Sequence, residues 1–218
     1  MADMNADPLQ WHYGDQNRDE MLRFIPRDAQ AVLDIGCGRG GFGGHLKSKF
    51  AVEVHGVELN ATAAHHARSR LDEVFELDLE RDPQKLPTGH YDVVTFLDVL
   101  EHLQDPWSML RRAHAWLKPG GMVVASLPNL RYYPVLKDLV LTKRFEYQEN
   151  GVLDRTHLRF FTGSSVERLF MDTGYRTISV TGINPSPFPW KLGLLNRLLG
   201  DALGDTRYMQ FAVSGRLD

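Results

Sequence analysis

The chain has one cysteine, Cys37, so no intrachain disulfide can form and a cysteine-rich zinc site is excluded. It has no basic excess. Twenty-five lysines and arginines face 28 aspartates and glutamates, a net charge of −3. That balance offers no global attraction to a phosphate backbone, and no nucleic-acid partner is expected. Long apolar runs are missing too. The longest, near Val93–Leu97 and Met122–Leu127, are strand-length and fall well short of the roughly 20 residues of a membrane span. There is no repeat and no low-complexity tract. Met1–Trp11 carries Asp3 and Asp7 without an apolar core, so it does not read as a secretion signal. These absences fit a cytoplasmic protein, and no metal is expected.

What is present is an ordinary globular composition, 43% hydrophobic and 24% charged over 218 residues. A chain of this length is expected to form one domain, 1–218, around one core. Short valine-rich runs alternate with amphipathic stretches, the pattern of βαβ units around a buried parallel sheet. Strands are expected at Ala31–Ile35, Val52–Val57, Val74–Leu77, Tyr91–Leu97, Met122–Leu127, Arg176–Thr181 and Tyr208–Ser214. Helices are expected at Asp15–Ile25, at Phe42–Phe50, from Asn60 to Leu71, from Asp105 to Leu117, over Arg131–Thr142, and at Trp190–Leu203. Ser164–Glu167 fits a capping box whose helix closes at Gly174. Residues 1–28 form an N-terminal helical segment. Residues 129–161 form an insertion that does not read as scaffold.

The run Val32-Leu33-Asp34-Ile35-Gly36-Cys37-Gly38-Arg39-Gly40-Gly41 takes a buried strand into a glycine turn and then a helix. Glycine suits backbone that lies against a ligand or needs a positive φ. Glu58 ends the next strand, where an acid can bond the two hydroxyls of a ribose. The helix start beside the turn offers N–H groups to an anion. Asp34, two residues before Gly36, would face the ligand. A carboxylate there is unfavourable beside a pyrophosphate and favourable beside a cation, which argues against a dinucleotide.

These residues resemble the class I S-adenosylmethionine-dependent methyltransferases. The likeness continues through Glu58, through Asp78-Leu79, and through Tyr91-Asp92-Val93-Val94 with Asp98-Val99-Leu100-Glu101-His102. It ends with Lys118-Pro119-Gly120-Gly121. Asp154–Thr162 is similar to a subgroup associated with small-molecule and polysaccharide methylation. The resemblance implies an α/β fold: a Rossmann-like, doubly wound, seven-stranded and mostly parallel sheet with a reversed C-terminal hairpin strand. It implies S-adenosylmethionine as cofactor, with S-adenosylhomocysteine as product. Gly36, Cys37, Gly38 and Gly40 would pass under its methionine part, and Asp34 would hold its ammonium group. Glu58 and Leu59 would meet the ribose, and Asp78 and Leu79 the adenine. Asp98 and Val99 would lie near the methionine end.

An oxygen acceptor must also lose a proton, and histidine is suited to that. His157, at the end of the insertion, is the favoured base, and His102, leaving the fourth strand, is the other candidate. Tyr132, Tyr133, Arg155 and Arg159 are candidate acceptor contacts, the arginines suiting a phosphate or carboxylate. His65, His66 and His114 read as surface or scaffold. The expected partner is a small-molecule or sugar-linked acceptor, and the expected state a monomer or homodimer.

Two other readings remain. Tyr133 and Lys137 have the tyrosine–lysine spacing of short-chain dehydrogenases, which would make the protein an NAD(P)-dependent oxidoreductase. A non-catalytic cofactor-binding module would keep the turn and Glu58 without an acceptor pocket. A DNA amino-methyltransferase would carry an Asp/Asn-Pro-Pro-aromatic run where this chain has Leu97-Asp98-Val99-Leu100.

Overall fold

The structure, a computed structural model, describes residues 16–82, 85–187 and 189–217. Most of the acidic N-terminus, including the helix start expected at Asp15, lies outside them. Seven strands are β1 (Ala31–Ile35), β2 (Glu53–Glu58), β3 (Glu73–Glu76), β4 (Tyr91–Leu97), β5 (Leu117–Pro128), β6 (Arg176–Pro185) and β7 (Tyr208–Arg216). They form one sheet in the order β3-β2-β1-β4-β5-β7-β6. β1 pairs parallel to β2, and β2 to β3, whereas β7 runs antiparallel to both β5 and β6. This is the expected Rossmann-like sheet with its reversed last strand. The helices are α1 (Gly41–Lys49), α2 (Ala61–Ala67), α3 (Pro106–Trp116), α4 (Tyr133–Lys137), α5 (Gly163–Asp172) and α6 (Trp190–Leu198).

Contacts cluster in two units. The first runs up to Thr95 and includes Ala115–Gly121. Its strand β1 is buried at every position, as a strand covered on both faces must be. Asp92 fixes where β1 begins. Its Oδ2 accepts from the N–H groups of Gln30 and Ala31 at 2.9 Å, and Lys118 donates to both of its oxygens. Burial alone would raise this carboxyl. Lys118 and the two N–H groups outweigh it and hold the group below its ordinary value. Asn60 caps α2 by accepting from Ala63 N–H at 2.9 Å. That helix ends at Ala67, and the chain reaches Leu71 through turns.

The second unit comprises Phe96–His114 and the chain from Met122 onward. Asp105 caps α3, accepting from Ser108 N–H at 3.0 Å. Thr162 caps α5 in a capping box with Ser165. The cap thus sits before the Ser164 position expected from sequence, because Thr162 and Ser165 satisfy each other's backbone and leave Ser164 inside the helix. His114 is scaffold, its ring edge-on to Tyr175 at 4.8 Å.

Other expectations change. The leading helix is a 3-10 turn, Asp19–Phe24, entered through Arg18 at a left-handed φ of 50°. Six residues before Pro26 are too few for a stable α-helix. Arg131–Thr142 begins two residues late and ends in a π-helical turn, Asp138–Thr142. β5 starts at Leu117, so Lys118–Gly121 lies inside a strand assignment rather than before it. β6 runs on to Pro185, four residues past the strand end expected at Thr181. The expected Trp190–Leu203 helix stops at Leu198, and much of its apolar side faces outward. Trp190 is 76% and Leu198 78% exposed, and Leu194 and Leu199 are exposed as well. The side chain of Leu195, also in that stripe, lies outside the described residues. Among the described residues, no helix is long and apolar enough to cross a membrane.

Close packing behind the glycine turn rests on Gly56. A methyl group added there would sit 2.6 Å from both Cys37 Sγ and Leu71 Cδ1. Gly56→Ala should therefore cost about 1–3 kcal/mol. A urea midpoint equal to that of the parent chain would refute this packing argument.

Candidate functional site

The turn after β1 is built by backbone bonds to β2. The N–H groups of Gly36 and Cys37 both donate to Val57 O, at 2.9 and 3.0 Å. Gly36, Gly38 and Gly40 take φ values of 68°, 56° and 77°, the left-handed region that glycine enters at little cost. Gly40 caps α1 without a side chain, so the first N–H groups of that helix are not occupied by a cap.

Two carboxylates stand at this turn. Glu58 is 4% exposed, and it accepts from Gly38 N–H at 2.9 Å and from Asn60 N–H at 2.7 Å. Asp34 is 3% exposed and accepts from the Thr95 hydroxyl at 2.7 Å. Burial pushes the Asp34 carboxyl up to about 7. Thr95 pulls the other way, Glu58 adds to the rise, and Arg18 opposes it. Two buried acids beside three left-handed glycines form an anionic cradle. It suits a ligand carrying positive charge and hydroxyl groups, and it disfavours a pyrophosphate.

The Cys37 side chain faces β2. Its Sγ packs against Gly56 of β2, and burial pushes the thiol above its ordinary range. Only its backbone belongs to the turn. Leu59 is two-thirds exposed. Leu79 is buried. Asp78 is engaged within its own loop, accepting from Glu80 N–H at 2.9 Å and pairing with Arg81 at 3.3 Å.

In the second unit, Asp98 follows β4 with a left-handed φ of 57°. Its Oδ1 accepts from Ser126 Oγ and from Gln210 Nε2, both at 2.7 Å. Val99 leads into a 3-10 turn, Leu100–His102. His102 and His157, 55 positions apart in sequence, come together there with ring centres 4.7 Å apart. Between them the sequence reading missed a partner. Glu101 is fully buried, with Oε1 4.0 Å from His157 Nε2. The visible signal was an acid beside a histidine at a strand exit. Its burial could not be read from local sequence, and its backbone is tied to the insertion, the N–H groups of Leu158 and Arg159 both donating to Glu101 O. Burial, and then the neighbouring His157, hold His102 below the ordinary imidazole range.

The candidate acceptor contacts do not gather in the same way. Arg155 pairs with Glu149, both well exposed. Arg159 donates to the backbone carbonyls of Leu158 and Gln104, which ties down the end of the insertion. Tyr132 and Tyr133 are half-buried at the start of α4. The start of the insertion is anchored by Arg131, which forks onto both oxygens of Asp205 at 2.7 and 3.0 Å. Lys137, of the tyrosine–lysine pair, lies 3.6 Å from Asp138 at the surface.

A Rossmann-like sheet with an anionic glycine turn defines a nucleoside-cofactor protein of the kind that takes a cationic ligand. Comparison with known proteins narrows this. A family described as a methyltransferase domain matches residues 10–180, and the chain belongs to it. A probable S-adenosylmethionine-dependent methyltransferase of Mycobacterium tuberculosis is 27% identical over 194 residues, 88% of this chain and 65% of the relative. The chain thus spans about two thirds of that relative's length. A ubiquinone biosynthesis O-methyltransferase of Thiobacillus denitrificans is 30% identical over 169 residues, 74% of this chain and 71% of the relative. The fold is shared with a crystal structure of a SAM-dependent methyltransferase from Archaeoglobus fulgidus. That likeness has a TM-score of 0.66 at 19% identity, covering 95% of this chain and 97% of the other. Membership of this family sets the oxidoreductase reading aside.

The cradle has a pH signature. Asp34 is protonated below about 7 in the folded chain and below about 3.8 when unfolded. Between those values the folded state binds more protons. The stability Asp34 contributes is present at acid pH and is lost as pH rises through about 7, by an amount on the order of a few kcal/mol. Asp34→Asn should remove this loss and be the more stable chain at pH 8. Denaturation curves for both proteins across the window would measure it, and parallel pH profiles would count against a raised Asp34.

Proposed function

We propose that the protein transfers a methyl group from S-adenosylmethionine to a small-molecule or sugar-linked acceptor, on oxygen. The observation that carries this reading is the turn itself, with three left-handed glycines beside buried Asp34 and Glu58. The residues fit the cofactor. Asp34 matches its ammonium group, Glu58 its ribose hydroxyls, and the backbone of Gly36, Cys37, Gly38 and Gly40 its methionine chain. Leu59, Asp78 and Leu79 would take the ribose and adenine edge, and Asp98 and Val99 the methionine end. When bound, S-adenosylmethionine supplies a methyl group already activated on a sulfonium. What remains for the protein is alignment, water exclusion and the fate of the acceptor's proton.

His102 and His157 are the groups assigned to that proton. The insertion 129–161 covers them, since Thr156 and His157 belong to it and the Glu101 backbone is tied to its last residues. Oxygen as the accepting atom is supported by the ubiquinone biosynthesis O-methyltransferase among the relatives. Tyr132, Tyr133, Arg155 and Arg159 are retained as candidate acceptor contacts for their residue types and their place in the insertion.

Calorimetric titration should find S-adenosylmethionine binding and no NAD binding. Asp34→Asn and Glu58→Gln should each weaken the cofactor roughly 10- to 100-fold, the loss of a charge-assisted bond. Tight NAD binding, or unchanged cofactor affinity in both variants, would overturn the reading. A screen over sugar nucleotides, quinone precursors and small acids should yield a methylated product. With that acceptor, His157→Ala should lower turnover by about 100-fold or more and leave cofactor affinity within about twofold. Parent-like turnover in this variant would remove His157 from the chemistry.

A further inference from the structure

No metal is expected from the sequence. The structure nevertheless brings Glu101, His102 and His157 together so that one ligand atom from each lies within 4.8 Å of the others. We propose that these three side chains form a divalent transition-metal site, with the two imidazole Nε2 atoms and the Glu101 carboxylate as ligands.

The hydrogen bonds around the two rings decide which nitrogens are available. Thr156 Oγ1 donates to Asp154 Oδ1 at 2.6 Å, so toward His102 it acts as an acceptor. His102 Nδ1 lies 3.1 Å from that hydroxyl oxygen and 3.3 Å from Thr156 O, and must carry the proton. His157 Nδ1 lies 3.1 Å from Val152 O, another pure acceptor, and is protonated for the same reason. In its neutral form each ring therefore presents an Nε2 lone pair. Metal-ligating histidines are held in this way, with the far nitrogen donating to a carbonyl or carboxylate that fixes the tautomer.

A lone pair can take a proton or a cation. The position of Glu101 favours the cation. His157 Nε2 and Glu101 Oε1 stand 4.0 Å apart, two acceptor atoms facing each other beyond hydrogen-bond reach. Ligands bound to one zinc at about 2.1 Å are roughly 3.4 Å apart, so this pair must close by about 0.6 Å and the other pairs, which lie within 4.8 Å, by at most about 1.4 Å. Two imidazoles and one carboxylate suit zinc, iron(II) or cobalt(II) and suit magnesium or calcium poorly.

Three protein ligands leave a coordination position for an outside oxygen. On the methyl-transfer reading, from which this last step follows, that oxygen is the acceptor hydroxyl, and the metal lowers its pKa. The two histidines then act through the ion and not as free bases.

The test uses the full chain, stripped with EDTA and titrated with cobalt(II) chloride and zinc chloride in the absence of cofactor and acceptor. The expected result is one ion per chain at micromolar affinity or tighter, with visible cobalt bands of a low-coordinate nitrogen–oxygen site. His102→Ala and His157→Ala should each weaken binding at least 100-fold. Thr156→Val removes only the outer partner of His102 and should weaken it about 10-fold. This variant, with the parent titration, keeps the test decisive should a ligand variant fail to fold. EDTA should leave S-adenosylmethionine affinity unchanged while lowering turnover at least tenfold, so the metal and the methyl-transfer readings fail separately. No binding up to 1 mM metal, or binding that survives loss of both histidines, would overturn the site.

Discussion

Burial of two carboxylates at one turn is the constraint around which the first unit is arranged. Asp34 lies opposite Gly56 in the parallel β1–β2 pairing, and Ile35 lies opposite Val57. This register places the end of β2 beside the turn. Val57 O then receives two turn N–H groups, and Glu58, one residue further, receives the N–H of Gly38. A one-residue slip would send Glu58 to the other face of the sheet. Gly56 is part of the same arrangement, since any side chain there would displace Cys37 and lift the turn off the strand. The charge itself is managed locally, by Thr95 on Asp34 and by backbone N–H groups on Glu58. Burial of the two carboxylates together raises the Asp34 carboxyl, against the pull of Thr95 and Arg18. A ligand with positive charge relieves that tension.

What sequence reveals here follows the range over which each feature is determined. The glycine turn, the Asn60 and Asp105 caps and the β1 and β4 boundaries depend on neighbours a few residues away. They appear where the residues indicate. The sheet follows from the alternation of valine-rich runs with helical stretches, and its reversed last strand from the family resemblance. Features set by distant chain were not legible. Nothing near Glu101 announces that it will be fully buried, or that residues 158 and 159 will bond its backbone. Arg155 and Arg159 looked like anion contacts by type alone. One is spent on Glu149 and the other on the carbonyl of Gln104, partners that only the fold brings within reach. The apolar stripe beginning at Trp190 has helical spacing, and spacing does not say whether the helix finds a surface to cover.

The two candidate centres, one in each unit, differ in chemistry. One is anionic and rich in backbone N–H groups, the setting for a cationic donor. The other places two imidazoles beside a buried acid, which under the proposed function would serve an acceptor that gives up a proton. The second centre has a local source of rigidity. The device that supplies rigidity is Asp98. A left-handed backbone at a non-glycine residue costs on the order of 1 kcal/mol and persists only where surroundings enforce it. Here the enforcement is a chain of hydrogen bonds. Asn184 donates to Gln210 at 2.6 Å and Gln210 to Asp98 at 2.7 Å, while Ser126 donates to the same Asp98 oxygen. Strands β5, β6 and β7 thus all contribute to one strained residue. Three and four positions further on stand Glu101 and His102. The abrupt exit from β4 directs them toward the insertion, where Thr156 and the backbone N–H groups of 158 and 159 receive them. The reversed strand β7 therefore does more than close the sheet. Through Gln210 it helps hold the turn on which the histidine pair depends.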